Sequence, residues 1–270
     1  MEILKRSMAP ITERAWAEID DAVRRTLVAR LCGRKVVDVK GPLGLEAAAV
    51  NLGRLELPSQ PKNAEVRYGI RRVQPLVEGR ANFDLDIWGL DDVERGDPAI
   101  DVDAAEQAAR TMASFEDTAI FNGFKPGGIV GLTQLDGHKP VPLKLDAKAL
   151  LDALARAVIA MNDAAVDGPY DLVTGPDVFR MLSSAQSPGY PLGKQVAGLI
   201  GGRVLYSTVL DGALLVSVRG GDFELTLGQD LAVGYDSRDA RKVTLFVTES
   251  FTFRVLDPAG CLHLPLKGAK

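Results

Sequence analysis

The sequence predicts an α+β protein, with amphipathic helices along the whole chain and most strands in its second half. Apolar residues recur every three or four positions over residues 11–31, 101–121 and 146–161, which is typical of helices with one buried face. Residues 242–256 (KVTLFVTESFTFRVL) instead alternate between apolar and polar side chains, which predicts a strand. At about 3.3 Å per residue this strand would be about 50 Å long, more than one compact core needs. We therefore expect a component of a large assembly.

Composition and charge exclude several classes of protein. The 270 residues carry a net charge of −4, which argues against a nucleic-acid-binding surface. No segment approaches the about 20 apolar residues that cross a bilayer, and the N-terminus shows no stretch typical of a signal peptide. We expect a cytoplasmic protein that binds neither membranes nor nucleic acid. The two cysteines, Cys32 and Cys261, indicate buried, reduced thiols rather than a disulfide framework.

The first third of the chain predicts a helix and an extended arm. The helix, residues 11–31, is expected to begin at the cap Thr12 and to end in a left-handed turn at Gly33. A short strand should follow at residues 35–39. Residues 52–73 show an extended pattern interrupted by a polar turn, which predicts a two-stranded arm. Such an arm has little core of its own, and we expect it to lie against another subunit.

The rest of the chain alternates helices with short strands. Residues 81–87 predict a strand that ends at Trp88. Gly220-Gly221 is expected to be the tip of a hairpin between strands at 214–218 and 223–227. The remaining predicted elements are strands at 170–174, 204–207 and 231–235, helices at 176–182 and 192–200, and a loop at 183–189.

Side chains that carry chemistry are scarce. Neither of the two histidines, His138 and His263, lies in a nucleophile motif, and no His or Cys spacing is typical of a metal site. We therefore expect no catalytic residue, no metal and no enzymatic activity. Trp88, flanked by Arg80 and Arg95, has the chemistry to stack on a flat ring and hold a phosphate, with a packing or interface role as the alternative.

A set of segments carries a family resemblance. In chain order it includes MEILKRSMAPITERAWAEID, GRKVVDVKGPLG, DVERG, FEDTAIFNG, GPYDLV, GYPL, RGGDFELTLGQDLAVGY and VTESFTFRVLDP. Together these segments, which span essentially the whole chain, resemble the encapsulin shell proteins of bacteria and archaea (family 1, the linocin-like group). The resemblance implies a phage-capsid (HK97-like) fold. It also implies an icosahedral homo-oligomer of about 60 copies, in which neighbours satisfy each exposed edge.

The resemblance also implies a division of the chain. Its parts would be residues 1–46 as an N-terminal lumenal helix and the start of a P-domain, 47–88 as an E-loop, 89–127 as the P-domain spine helix, 128–228 as an A-domain, and 229–270 as the C-terminal strands of the P-domain.

In this family the shell encloses a cargo enzyme, a ferritin-like iron oxidase or a dye-decolorising peroxidase, which implies a role in iron storage or oxidative-stress defence. The cargo docks through a C-terminal targeting peptide, in a groove whose matching positions here are Leu27, Leu31, Arg34, Asp38, Leu231 and Val233. Some members bind FMN or another flavin at positions that correspond to Trp88 and Arg80, although the shell itself requires no cofactor. The loop at the pore corresponds to Ser183, Ser184, Ala185, Gln186, Ser187, Pro188, Gly189 and Tyr190, with Gly189 where a similar sequence has histidine.

Two alternatives stay open. A phage-type major capsid protein would share the fold but would package DNA, and the acidic balance argues against a DNA-lined interior. A flavin-binding enzyme, or a protease or bacteriocin, is the second alternative. A protease would need a nucleophile–base pair, which the sequence does not offer.

Overall fold

The computed structural model describes residues 3–59, 65–97, 99–187 and 189–267. Its helices are α1 (Glu13–Arg30), α2 (Ile87–Arg95), α3 (Asp103–Asn122), α4 (Ala147–Asp163), α5 (Pro176–Ser184) and α6 (Leu192–Ile200). Its strands are β1 (Asp38–Lys40), β2 (Ala49–Glu56), β3 (Ile70–Pro75), β4 (Val77–Asp86), β5 (Tyr170–Thr174), β6 (Gln186–Ser187), β7 (Tyr190–Pro191), β8 (Gly201–Tyr206), β9 (Ala213–Ser217), β10 (Phe223–Leu227), β11 (Ala232–Arg238), β12 (Lys242–Val255) and β13 (Cys261–Leu264). The predicted α+β class is confirmed.

The largest sheet is organised around the long strand β12. One edge of β12 pairs antiparallel with β4 from Lys242 to Phe251, and the other edge pairs first with β11 and then with β10. β1 joins β10 in parallel. The predicted long strand is therefore confirmed. Its length lets it pair with three strands that come from distant parts of the chain.

Helices α1 and α3 pack over one face of this sheet. The apolar stripe predicted for α1 is buried, from Trp16 to Leu31. The facing side of α3 carries small residues such as Ala105 and Ala109, which let the two helices approach each other closely. Both helices cover buried apolar side chains of β12, such as Leu245, and each such large side chain contributes about 1.5–3 kcal/mol when buried.

The exit of α1 differs from the prediction. Leu31 ends the helix with an extended backbone, and Gly33 opens a short 3-10 turn, Gly33–Lys35, without entering the left-handed region. Glycine is needed there for space, because an added Cβ would lie 2.6 Å from Ile120 Cδ1 on α3. The chain therefore crosses α3 at very short range, and the predicted strand at 35–39 begins later, as β1.

The second sheet has four strands in the order β13–β9–β5–β8, and α4, α5 and α6 pack against it. Two strands cross between the sheets near the predicted boundary at residue 228. β10 precedes this boundary but joins the sheet of β12, and β13 follows it but joins the second sheet. The predicted hairpin is also wrong, because Gly220-Gly221 connects β9 in one sheet to β10 in the other, with both glycines at positive φ.

The arm predicted between residues 52 and 73 is confirmed as the antiparallel pair β2–β3. Its apolar side chains face solvent in the isolated chain: Leu55, Leu57, Val66, Tyr68, Ile70 and Val73. β4 follows directly, but it ends at Asp86. Ile87 begins α2, where the Asp86 carboxylate accepts a hydrogen bond from the Gly89 amide, so Trp88 lies in a helix rather than at the end of a strand.

Candidate functional site

An apolar groove lies between α1 and β11, and we call it the α1–β11 groove. It has a cavity volume of about 420 Å³. Its lining residues are Arg6, Asp20, Val23, Arg24, Leu27, Val28, Leu31, Arg34, Asp230, Leu231, Ala232 and Val233. Val28 stands at the lip with 68% of its surface exposed, although α1 buries its neighbour Leu27. The groove therefore offers apolar surface that the subunit itself does not cover.

The open edge of β11 forms one wall of this groove. Of the described strands, β11 pairs only with β12, which leaves its other edge to the N-terminal segment. There the Tyr235 amide donates to the Leu4 carbonyl oxygen over 2.8 Å. Arg6 lies over the Trp16 ring, 4.0 Å from its centroid, and pairs with Asp20 at 2.6 Å. These contacts close one end of the groove and fix α1 beside the sheet.

A buried ion cluster forms the floor of the groove. The Arg34 guanidinium donates to Glu116 on α3 with a shortest distance of 2.7 Å, and to Glu249 on β12 at 2.6 Å. It also donates to Asp230, in the loop before β11, at 2.9 Å. Burial alone would lower the pKa of Arg34, but the hydrogen bonds and charges of Glu116 and Glu249 raise it overall, so the guanidinium stays charged. One side chain therefore joins the end of α1 to α3, β12 and β11.

Asp117 joins α3 to the backbone that follows α1. Its carboxylate accepts hydrogen bonds from the amides of Cys32 at 3.1 Å and Gly33 at 2.8 Å. These two amides follow the end of α1 and have no helical partner. Burial raises the pKa of Asp117 to about 7, although both amide hydrogen bonds act to lower it. The end of α1 is thus attached to α3 through two adjacent acids, Glu116 and Asp117.

The structure brings five of the six predicted groove residues together. Leu27, Leu31, Arg34, Leu231 and Val233 all line the α1–β11 groove. Asp38 does not, because it lies on β1, where its carboxylate accepts a hydrogen bond from the Gly221 amide at 2.6 Å. Val28 and Asp230 also line the groove but were not predicted from the sequence. Val28 could have been predicted to lie at a binding surface, because it is an apolar residue outside the regular stripe of α1.

The predicted flavin residues lie on two consecutive elements, Trp88 on α2 and Arg80 on β4. Trp88 has 73% of its surface exposed, and its carbonyl oxygen accepts a hydrogen bond from Arg95 at 3.2 Å. Arg80 lies over the Phe246 ring and pairs with Glu78. Five residues of β4 lie between Arg80 and Asp86, so these two residues are about 20 Å apart along the strand. The exposed indole fits a stacked ring, and Arg80 has partners within its own subunit.

The predicted pore loop is partly regular structure. Ser183 and Ser184 are the last residues of α5, where their hydroxyls donate to the carbonyl oxygens of Phe179 and Arg180. Ala185 caps this helix, and β6 and β7 then pair as a small hairpin. Gly189 has a φ of 77° at its turn, and Tyr190 is exposed. Pro188 lies outside the described residues.

Reactive groups are few in the described part of the chain. No group of three or more His, Cys, Asp or Glu side chains there has an arrangement that would hold a metal ion. His138 Nε2 lies 2.8 Å from the Ala259 carbonyl oxygen. Cys32 and Cys261 are free and buried, and burial raises the pKa of Cys32 to about 12. Among the described helices, none has the length and hydropathy to cross a bilayer.

The known sequences that resemble this chain are encapsulating shell proteins. A family model described as "Encapsulating protein for peroxidase" (Linocin_M18) matches residues 1–252. The chain is 43% identical to the type 1 encapsulin shell protein of Rhodospirillum rubrum, over 99% of this chain and 97% of that protein. It is 37% identical to the type 1 encapsulin shell protein of Mycobacterium tuberculosis, over 94% of this chain and 95% of that protein.

Comparison with solved structures confirms the predicted capsid fold. A virus-like particle from Pyrococcus furiosus matches with a TM-score of 0.67 and 16% identity, over 93% of this chain and 98% of that chain. The capsid of Myoviridae phage XM1 matches with a TM-score of 0.55 and 13% identity, over 84% of this chain and 88% of that chain.

The ion cluster gives a first testable prediction. Replacing Arg34→Met leaves two buried carboxyl groups without their cation, which we expect to lower the free energy of unfolding by about 3–5 kcal/mol. Arg156→Met removes an exposed ion pair with Asp152 and is the matched control, expected to cost less than about 1 kcal/mol. Thermal unfolding of both purified variants measures the difference, and equal losses would contradict the assigned role of Arg34.

Proposed function

This chain belongs to the family of type 1 encapsulin shell proteins, and we propose that its copies enclose a cargo enzyme that docks in the α1–β11 groove. The shell role follows from the family and the capsid fold. The cargo role is supported by one observation above all, the uncovered apolar lining of the groove beside a rigid, charged floor. Such a groove suits an extended or helical peptide with a few apolar anchors.

Assembly is supported by the surfaces that the isolated subunit leaves exposed. The β2–β3 arm carries six large apolar side chains in contact with solvent, among them Leu57 with 74% of its surface exposed. A two-stranded arm is marginal alone, and an exposed apolar surface of this kind is typical of a contact between subunits. We infer that the arm lies on a neighbouring copy and that closed symmetry buries it.

A substitution on the arm tests this assembly contact. We expect Leu57→Asp to reduce shell formation at least tenfold while the subunit stays folded, because the side chain is exposed in the monomer but would bring a charge into an apolar contact. Leu57→Met keeps an apolar side chain of similar volume and should assemble normally. Light scattering and electron microscopy report particle size, and normal shells from Leu57→Asp would refute the contact.

Docking in the groove is supported by its geometry. Leu27, Leu31 and Val233 provide the buried base, and Val28 provides exposed apolar surface at the lip. A contact of this size is weak for one copy, but a cargo oligomer that engages several subunits of one shell gains effective concentration. The family description, which refers to peroxidase, favours a dye-decolorising peroxidase over a ferritin-like iron oxidase and therefore a role in oxidative-stress defence.

The lip of the groove provides a test that leaves the core intact. We expect Val28→Asp shells from the native organism to lose at least nine-tenths of the protein that co-purifies inside wild-type shells, since an aspartate disrupts an apolar docking surface. Val39→Asp changes an exposed valine on β1, away from the groove, and should retain that protein. Quantitative mass spectrometry of intact shells gives the ratio of cargo to shell. Equal loading of the two variants would show that the groove does not bind cargo.

Flavin binding is a separate proposal, which the exposed Trp88 indole supports. Arg80 would have to leave Phe246 and Glu78 to hold a flavin phosphate, unless another copy supplies the arginine. We expect Trp88→Ala to abolish the visible absorbance of flavin in purified shells, and Trp88→Phe to retain part of it because the phenyl ring still stacks. Flavin that persists in Trp88→Ala shells would contradict this assignment.

A further inference from the structure

The ion cluster under the groove contains more acid than its cation can neutralise. Glu116 and Glu249 are both fully buried and Asp230 is 44% exposed, yet these three carboxyl groups share the single guanidinium of Arg34. Glu249 Oε1 receives the Arg34 hydrogen bond, whereas its Oε2 is buried and has no hydrogen-bond partner within the described residues. A buried ionised oxygen without a partner is costly, so the cluster requires a further positive charge.

Among the described residues, no other side chain of the elements around the cluster supplies that charge. On β4, Gly79 lies opposite Glu249, and its neighbours Glu78 and Arg80 point to the other face of the sheet. On α3, Asp117 faces the backbone amides of Cys32 and Gly33. In the described chain, the ion pairs of Glu116 and Glu249 are with Arg34 alone.

We propose that Glu249 carries a proton at neutral pH, so that the groove floor is locked by a proton and released only in alkali. The proton neutralises one of the two buried negative charges, and it can lie on Oε2, the oxygen without a partner. It is the second positive charge of the cluster, beside the Arg34 guanidinium.

The direction of the pH dependence follows from this arrangement. Burial raises the pKa of Glu249 far above the usual value of 4.5, and the neighbouring Glu116 adds to the rise. The folded state therefore binds more protons than the unfolded state, so the free energy of unfolding decreases as the pH rises above about 4.5. Once the proton is lost, the two buried carboxylates repel each other and compete for Arg34.

The lock acts on the groove through Arg34. Arg34 follows the end of α1 and lines the groove, so any loss of its pairing loosens the last turn of α1 against the sheet. We expect alkali to loosen Leu27 and Leu31 before the rest of the subunit. Any effect of this loosening on a docked peptide rests on the proposed cargo function. The presence of the bound proton does not rest on that function.

Infrared spectroscopy of assembled, empty shells tests the proton directly. At about pH 8, wild-type shells should show the carbonyl stretch of a protonated carboxylic acid, which disappears at higher pH. Glu249→Gln should lack this band. Glu224→Gln is the matched control, because Glu224 is a buried glutamate whose pKa is lowered by hydrogen bonds from Lys40 and Arg254 against the effect of burial, so that variant should keep the band.

Hydrogen exchange tests the coupling to the groove. After correction for the intrinsic pH dependence of exchange, amides of residues 27–34 should lose at least tenfold protection between about pH 8 and about pH 11 in wild type, but not in Glu249→Gln, whose amide imitates the protonated acid. A wild-type spectrum without the acid band overturns the proposal, as does a band that persists in Glu249→Gln. If Glu249→Gln fails to assemble, the infrared titration of wild-type shells decides whether the proton is bound. Cargo loading tests the docking proposal and does not bear on the proton.

Discussion

The attachment of α1 to the sheet depends on one partly buried guanidinium. Arg34 binds acids from α3, from β12 and from the loop before β11, so three different elements meet at one planar group. A buried ion cluster of this kind adds little net stability, because the energy of desolvating the charges offsets their attraction. Its value lies in specificity, since any other placement of α1 would leave buried acids without a partner. The groove beside α1 is therefore formed before any ligand arrives.

Around that fixed point, the subunit keeps apolar surface at its margins. The arm and the lip of the groove expose large aliphatic side chains, whereas both sheets carry clusters of buried apolar side chains. Single exposed apolar residues are ordinary on a monomer, but a row of them on a two-stranded arm is not. The hydrophobic effect would serve two purposes. Burial of the arm would join copies into a shell, and the apolar surface of the groove would bind cargo.

The sequence predicted most elements because their periodicity is strong. α6 and β10 were predicted to the residue, and β12 to within one residue, since alternation and helical spacing are local properties. The predictions that failed concern where the chain goes between elements. Gly220-Gly221 is as compatible with a crossing between sheets as with a hairpin, and Gly33 is required by the approach of Ile120, 87 positions later in the chain. The burial of Glu116 and Asp117 could not be predicted from the sequence, because their partners Arg34 and Gly33 lie more than 80 positions away in the chain.

The exchange of strands between the two sheets has a consequence for how this subunit can be divided. The chain leaves the second sheet after β9, forms β10, β11 and β12 of the first sheet, and returns to the second sheet as β13. Arg219 strengthens the crossing, because it binds both Asp222 and Asp257. A cut between β9 and β10 would therefore separate β13 from the sheet with which it pairs. The two sheets of this subunit are interlaced along the chain, so new parts are better grafted onto its loops than exchanged as whole domains.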